Sequence, residues 1–138
     1  MNYLLDTNAC IAVINRKTPS VRTRLQAAMG TGNKLFVSSV AAFELWYGVA
    51  KSSQPQANRL RLETFFDGPI APLPFDDEDA YAAGEIRAAL EAQGRSIGAY
   101  DLLIAGQALR RGFTLVTANV AEFSRVKGLV WQDWSRLP

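Results

Sequence analysis

Three carboxylates stand inside apolar runs that would otherwise pack a core. Asp6 closes Tyr3-Leu4-Leu5, Glu44 lies within Ala41-Ala42-Phe43-Glu44-Leu45-Trp46-Tyr47, and Asp101 opens Asp101-Leu102-Leu103-Ile104-Ala105. A carboxylate in apolar surroundings is costly unless a positive charge or hydrogen-bond donors meet it. Each has an ordinary role open to it: Asp6 and Asp101 as helix caps, Glu44 as the partner of a buried arginine. Three such residues far apart in the chain point instead to one shared positive partner, and a divalent cation is the simplest.

The chain has no histidine and one cysteine, Cys10. That excludes a Ser-His-Asp triad, a His-ligated or thiolate zinc site and an iron–sulfur cluster. The remaining donors are oxygens, which suit hard cations such as magnesium or manganese. Clustered carboxylates repel and raise one another's pKa, and a bound cation reverses that penalty. It also acidifies water and stabilises charge on phosphate oxygens. An all-acid, histidine-free set therefore points to phosphodiester hydrolysis by metal-activated water. A fourth oxygen group is expected from Thr117-Ala118-Asn119-Val120-Ala121-Glu122-Phe123, where Asn119 and Glu122 compete; a turn asparagine and an exposed glutamate are the plainer alternative. Thr7, Asn8, Ser38 and Thr117 are candidates to position carboxylates or phosphate by hydrogen bonds.

These residues need a scaffold. The chain has 138 residues, 49% hydrophobic and 20% charged, which fits one globular domain spanning 1–138. No apolar run approaches the roughly 20 residues of a membrane helix. The start, Met1-Asn2-Tyr3-Leu4-Leu5-Asp6, lacks signal-peptide features. With its lone thiol, read as packed, the chain is expected in a reducing cytoplasm. Net charge is +2. The acid block Asp76-Asp77-Glu78-Asp79 makes the rest of the surface more basic than that total implies. Arg16-Lys17, Arg22, Arg24, Arg59, Arg61, Arg110-Arg111 and Arg125-Lys127 form either a phosphate-facing surface or solvated helix faces.

Leu4-Leu5, Leu35-Phe36-Val37-Ser38, Ile70 to Phe75, Phe113 to Thr117 and Leu129-Val130-Trp131 read as strands. Pro72 and Pro74 favour an edge position for the third. Helices are expected from about Asn8, from Pro19 to Gly30, from Val40 to Lys51 with Ser38 or Ser39 as cap, and from near Pro55 to Phe66. Two more run from Asp77 to Gln93, with Asp76 as cap, and from Asp101 to Arg111. Strands alternating with helices indicate a parallel sheet with helices on both faces. Sites in such sheets form beyond the carboxyl ends of the strands, where Asp6, Ser38, Asn119 and Glu122 all fall.

The blocks Leu4-Leu5-Asp6-Thr7-Asn8, Ser38-Ser39-Val40 through Glu44-Leu45-Trp46-Tyr47-Gly48, Ile97-Gly98-Ala99-Tyr100-Asp101 through Gly106, and Val116-Thr117-Ala118-Asn119 through Glu122-Phe123 resemble the PIN-domain family. Within it, the VapC toxins of bacterial VapBC toxin–antitoxin modules are the nearest likeness, over essentially the whole chain. The resemblance implies a three-layer α/β/α fold with a mainly parallel sheet and a homodimer. It implies an endoribonuclease dependent on magnesium or manganese that cuts structured RNA, in a transfer or ribosomal RNA loop, and inhibits translation. Asp6, Glu44 and Asp101 fall on its three main acidic positions. Many PIN domains place an aspartate soon after the last core strand's threonine. Here Asn119 stands there and Glu122 is the nearest acid, so Glu122 is favoured as metal-associated with Asn119 assisting. The resemblance also implies a VapB-like antitoxin whose C-terminal segment lies in an apolar groove and places a basic side chain among the acids. Phe43, Trp46 and Tyr47, around Glu44, are candidate antitoxin or dimer contacts, with ordinary core packing as the plainer role.

A non-catalytic PIN-like module that binds RNA or protein is the alternative, disfavoured by retention of all three main acids. A haloacid-dehalogenase-like phosphatase needs a second acid where Asn8 stands, and a receiver domain needs an acid pair at the chain start. No Gly-rich Lys-Ser/Thr loop exists for P-loop nucleotide hydrolysis.

Overall fold

A computed structural model describes residues 1–136. In chain order its elements are β1 (Asn2–Leu5), α1 (Thr7–Asn15), α2 (Pro19–Gly30), β2 (Lys34–Ser38), α3 (Ser39–Lys51), α4 (Pro55–Phe66), β3 (Ile70–Leu73), α5 (Asp77–Ala92), α6 (Ala99–Arg111), β4 (Thr114–Val116), α7 (Val120–Phe123) and β5 (Trp131–Gln132). The five strands form one sheet in the order β3-β2-β1-β4-β5, and every pairing is parallel. The architecture is the expected three-layer α/β/α.

Leu4, Leu5, Val37, Leu115 and Val116 are all but fully buried, as strands covered on both faces require. β3 lies at one edge, where Pro72, set opposite Val37, leaves no ladder hydrogen bond unmade in the interior. β1 is central. The chain first builds outward from it to β2 and β3, then returns to add β4 and β5 on its other side. That reversal opens a crevice beyond the carboxyl ends of β1 and β4. The Asp6 amide, donating to the Val116 carbonyl at 3.1 Å, closes the crevice floor.

Several element ends differ from expectation by one or two residues, and three of the differences have a local reason. α1 begins at Thr7, one residue early, because Asp6 caps it. α6 begins at Ala99, so Asp101 lies in its first turn and Gly98 takes the cap position. The last strand is Trp131–Gln132, not Leu129–Trp131, because Gly128 at φ 86 sits in a turn just before it. The short α7 was not expected; four residues are too few to display a helical period.

The acid block does more than cap α5. Asp76 accepts from the Asp79 amide, and Asp79 returns a bond to the Asp76 amide, a reciprocal capping box. Asp79 is fully buried and also takes Arg110 Nε at 2.8 Å, Arg111 at 3.2 Å and Gln107 Nε2 at 3.2 Å. These ties lock the start of α5 to the last turn of α6. Burial alone would raise the Asp79 carboxyl, but hydrogen bonds from Arg111, the Asp76 amide and Arg110 outweigh it and hold it at about 2. A carboxyl depressed in the folded state adds stability above its unfolded value of 3.8, and that stability is lost as pH falls toward 2. Asp79→Asn is therefore expected to lose about 2 kcal/mol at pH 7. Urea unfolding at pH 7, 4 and 2.5 should show the gap between variant and wild type closing with acid. A constant gap would mean that the ion pairs are not its source.

No helix among the described residues is long and apolar enough to cross a membrane.

Candidate active site

Asp6 sits at the carboxyl end of the central strand, 4% exposed, and its Oδ1 accepts from the Ala9 amide at 2.8 Å. Capping and site membership coincide in this one side chain. Burial raises its carboxyl above the ordinary range; hydrogen bonds from Thr117 and the Ala9 amide pull the other way, and the charges of Glu44 and Asp133 add to the rise. Beneath it lies Cys10, completely buried, its thiol pushed far up by burial and then by the Asp6 charge, and so a packing group.

Glu44 comes from the second turn of α3, which Ser38 caps by accepting from the Val40 amide at 3.0 Å. It is half-buried and takes a 2.7 Å hydrogen bond from Thr7 Oγ1, so the first turn of α1 orients it. Asp101, also half-buried, projects from the first turn of α6. Neither is sealed in the core as the apolar runs around them suggest; only Asp6 is.

Burial, a hydrogen bond shared with Glu122, and the charges of Glu122, Asp6 and Glu44 raise the Asp101 carboxyl to about 7. Glu122 moves down, held by Asn119, then by Asp101, the Gly98 amide and Arg125 against the effect of burial. The two carboxyls thus titrate as a pair, sharing a proton that is lost through the neutral range. Asn119 and Glu122 act together: the Asn119 amide group donates to Glu122 Oε2, and the Asn119 backbone amide donates to Thr117 Oγ1 at 2.9 Å. Glu122 also accepts from the Gly98 amide at 3.3 Å, tying α7 to the start of α6. Ser38 and Thr117 are buried in positioning roles, whereas Asn8 is exposed.

Four acids from four elements therefore lie near one another, and Asp101 feels the charge of the other three. A fifth, Asp133, follows β5 at the same sheet edge and adds its charge to Asp6. Sequence reasoning passed over it, although Trp131-Gln132-Asp133 repeats the strand-then-acid pattern of Leu4-Leu5-Asp6. It is held by the Ser135 amide at 2.9 Å and paired with Arg136 at 3.6 Å. Among the described residues, no three acids are already drawn together into a coordination shell. The donor set is nonetheless all oxygen, the chemistry that hard divalent cations take, and the crowding of negative charge on Asp101 is what such a cation would relieve.

Beside Glu44, α1, α3 and α4 enclose a groove of about 240 Å3, walled by Ile11, Ile14, Leu45, Val49 and Leu62 with Arg61 at its margin. Phe43, Trp46 and Tyr47 are 55%, 39% and 57% exposed, so they are not core residues. Phe43 meets Tyr100 edge to face at 5.7 Å between ring centres, Trp46 leans on Phe66, and Lys51 lies over Tyr47.

A family model described as "PIN domain" matches residues 3–129. The chain is 44% identical to a tRNA(fMet)-specific endonuclease VapC from Shigella flexneri, over 98% of this chain and 99% of that one. It is 36% identical to ribonuclease VapC2 of Rickettsia felis, over 99% and 100%. Among solved structures, VapBC2 from Rickettsia felis bound to a DNA fragment from its promoter superposes with a TM-score of 0.91 at 36% identity, covering 97% of this chain and 99% of that one.

Proposed function

The chain belongs to the PIN-domain family, and from that premise we propose that it is a VapC-type ribonuclease, the toxin of a VapBC module, cutting RNA with a divalent cation held by Asp6, Glu44, Asp101 and Glu122. The observation that carries this reading is the convergence of those acids on the rim beyond β1 and β4, where Asp101 is pushed to about 7. A bound magnesium or manganese ion supplies acidified water and Lewis-acid stabilisation of the phosphate oxygens.

The protein's own groups do the positioning. Thr7 fixes Glu44, the α1 N-terminus and Thr117 fix Asp6, and Asn119 fixes Glu122 against Asp101. Supports of this kind keep ligating carboxylates in one orientation. The Asp101–Glu122 proton is the one that leaves when positive charge enters the cluster. RNA offers the reacting phosphodiester best where it is single-stranded and its bases splay outward. An initiator transfer RNA loop is the proposed substrate class, following the specificity named for the Shigella flexneri relative.

A VapB-like antitoxin is the proposed partner, supported by the solved VapBC complexes the chain resembles. Its C-terminal segment would occupy the groove beside Glu44, and a basic side chain from it would make charge-assisted hydrogen bonds to the acids. The exposed Phe43-Trp46-Tyr47 face suits an antitoxin or homodimer contact, and the proposed compartment is the cytoplasm.

Purified protein is expected to cut transfer RNA with magnesium and to stop with chelator, and Asp6→Asn, which can still accept the Ala9 amide, is expected to fold and not cut. Cutting that persists in chelator or in Asp6→Asn would refute the metal reading. RNA binding without any cutting would favour the non-catalytic module.

A further inference from the structure

On the reading that this chain cuts RNA, we propose that Arg16, Lys17 and Arg61 form a phosphate subsite that seats the RNA backbone to one side of the scissile bond. A cavity of about 590 Å3 is lined by Ile14, Asn15, Arg16, Lys17 and Arg61, where the end of α1 faces α4. Ile14, Asn15 and Arg61 also line the groove that has Glu44 in its wall, so the cavity of the three cations adjoins the groove that reaches the acid rim at Glu44.

Most other basic side chains are already committed. Arg59 pairs with Glu63 and Arg87 with Glu91. Arg110 and Arg111 are tied to the α5 acids, and Arg22, Arg24 and Arg125 donate to backbone carbonyls. Among the described residues, the side chains of Arg16, Lys17 and Arg61 make no ion pair and no hydrogen bond. Arg16 adds a second observation. It is the only non-glycine among the described residues with positive φ, at 57°, and it ends α1 where glycine is the usual residue. A cation stands where the backbone favours no side chain at all.

The chemistry these groups recognise is a polyanion. A nucleic-acid strand passing the acid rim is repelled by it, and its flanking phosphates need cations close by along the strand. One sign of charge with no acid in the cavity wall fits a phosphate backbone better than a mixed-charge peptide.

The test is equilibrium binding of a single-stranded RNA oligonucleotide in chelator, where nothing is cut, across a range of salt. Replacing all three residues by glutamine is expected to flatten the plot of log Kd against log salt by about 2, at roughly 0.7 per lost phosphate contact, and to weaken binding about tenfold or more at 0.1 M salt. Arg95→Gln, which removes an exposed cation outside the cavity, is expected to leave the slope near wild type. Arg16→Gly should raise the melting midpoint and still weaken RNA binding, a combination that a purely structural arginine would not give. A triple variant with the wild-type slope overturns the proposal, and so does one that loses only antitoxin affinity, which would assign the cavity to the protein partner. Cleavage by wild type with magnesium is scored separately: a protein that shows the slope change yet cuts no RNA keeps the subsite and loses the nuclease reading.

Discussion

Asp101→Asn is expected to silence RNA cleavage and, in chelator, to raise the melting temperature. Both effects come from the same charge. In the folded, cation-free protein the Asp101 carboxyl titrates at about 7, against 3.8 for an ordinary aspartate, because burial, Glu122, Asp6 and Glu44 all disfavour its ionised form. The folded state therefore binds more protons than the unfolded chain between about pH 4 and 7, and stability falls as pH rises through that window. Asparagine resembles the protonated form and removes the loss. The full shift would correspond to about 4 kcal/mol. Asp101 is half-exposed, however, and water and salt screen it, so about 1–2 kcal/mol is expected, or roughly 3–6 °C in Tm at pH 7.5. Catalysis should fall roughly a thousandfold, since a neutral amide neither holds a divalent cation as well nor restores the field that the site presents to it. Adding magnesium should raise the Tm of wild type and barely move the variant. A variant less stable than wild type in chelator would show that Asp101 supports the fold and is not strained within it.

Gly106→Ala is the second large effect, expected to cost about 2–3 kcal/mol although alanine is the better helix former. Gly106 lies within α6, and a Cβ there would come 2.6 Å from the Ala83 amide nitrogen and 2.7 Å from its Cα. Backbone cannot yield as a side-chain tip can, so α5 and α6 must move apart. Gly84, the next residue along α5, is the internal control: nothing lies within 4 Å of its added Cβ, and Gly84→Ala should gain up to about 1 kcal/mol. Denaturant midpoints of the two variants should move in opposite directions. Because α6 carries Asp101 and the α5–α6 contact fixes its tilt, folded Gly106→Ala protein should also cut more slowly at saturating RNA. Two alanine variants shifting the same way would mean that the helix contact does not set stability.

Much of this is legible in the residues themselves. Pro72 placed β3 at an edge, Asp76 announced the start of α5, and the strand-then-acid junction at Leu5-Asp6 marked the rim of the sheet. What was not legible depended on contacts between distant parts of the chain. Asp79 reads as one more helix-dipole acid, yet it is the buried anchor for Arg110 and Arg111, some thirty residues away. Phe43, Trp46 and Tyr47 read as partner contacts or as core, and only packing shows that this face of α3 turns outward. Asp133 was hidden because a two-residue strand has no period to recognise. Asn119 and Glu122, rivals for the fourth corner in the sequence, are hydrogen-bonded to each other in the fold.

The place of β1 in the sheet bears on how the molecule is born. Tyr3 pairs on one side with Leu35 and on the other with Thr114. The central strand thus remains open along one edge until more than a hundred further residues have been synthesised, and closure across such a separation is slow. Asp6 is made early, but Asp101 follows it by more than ninety residues and Glu122 by more than a hundred. A nascent chain halted before residue 114 has no crevice, no assembled acid rim and no means of cutting RNA. Strand order alone therefore withholds the assembled acid rim until β4 and α7 have been made.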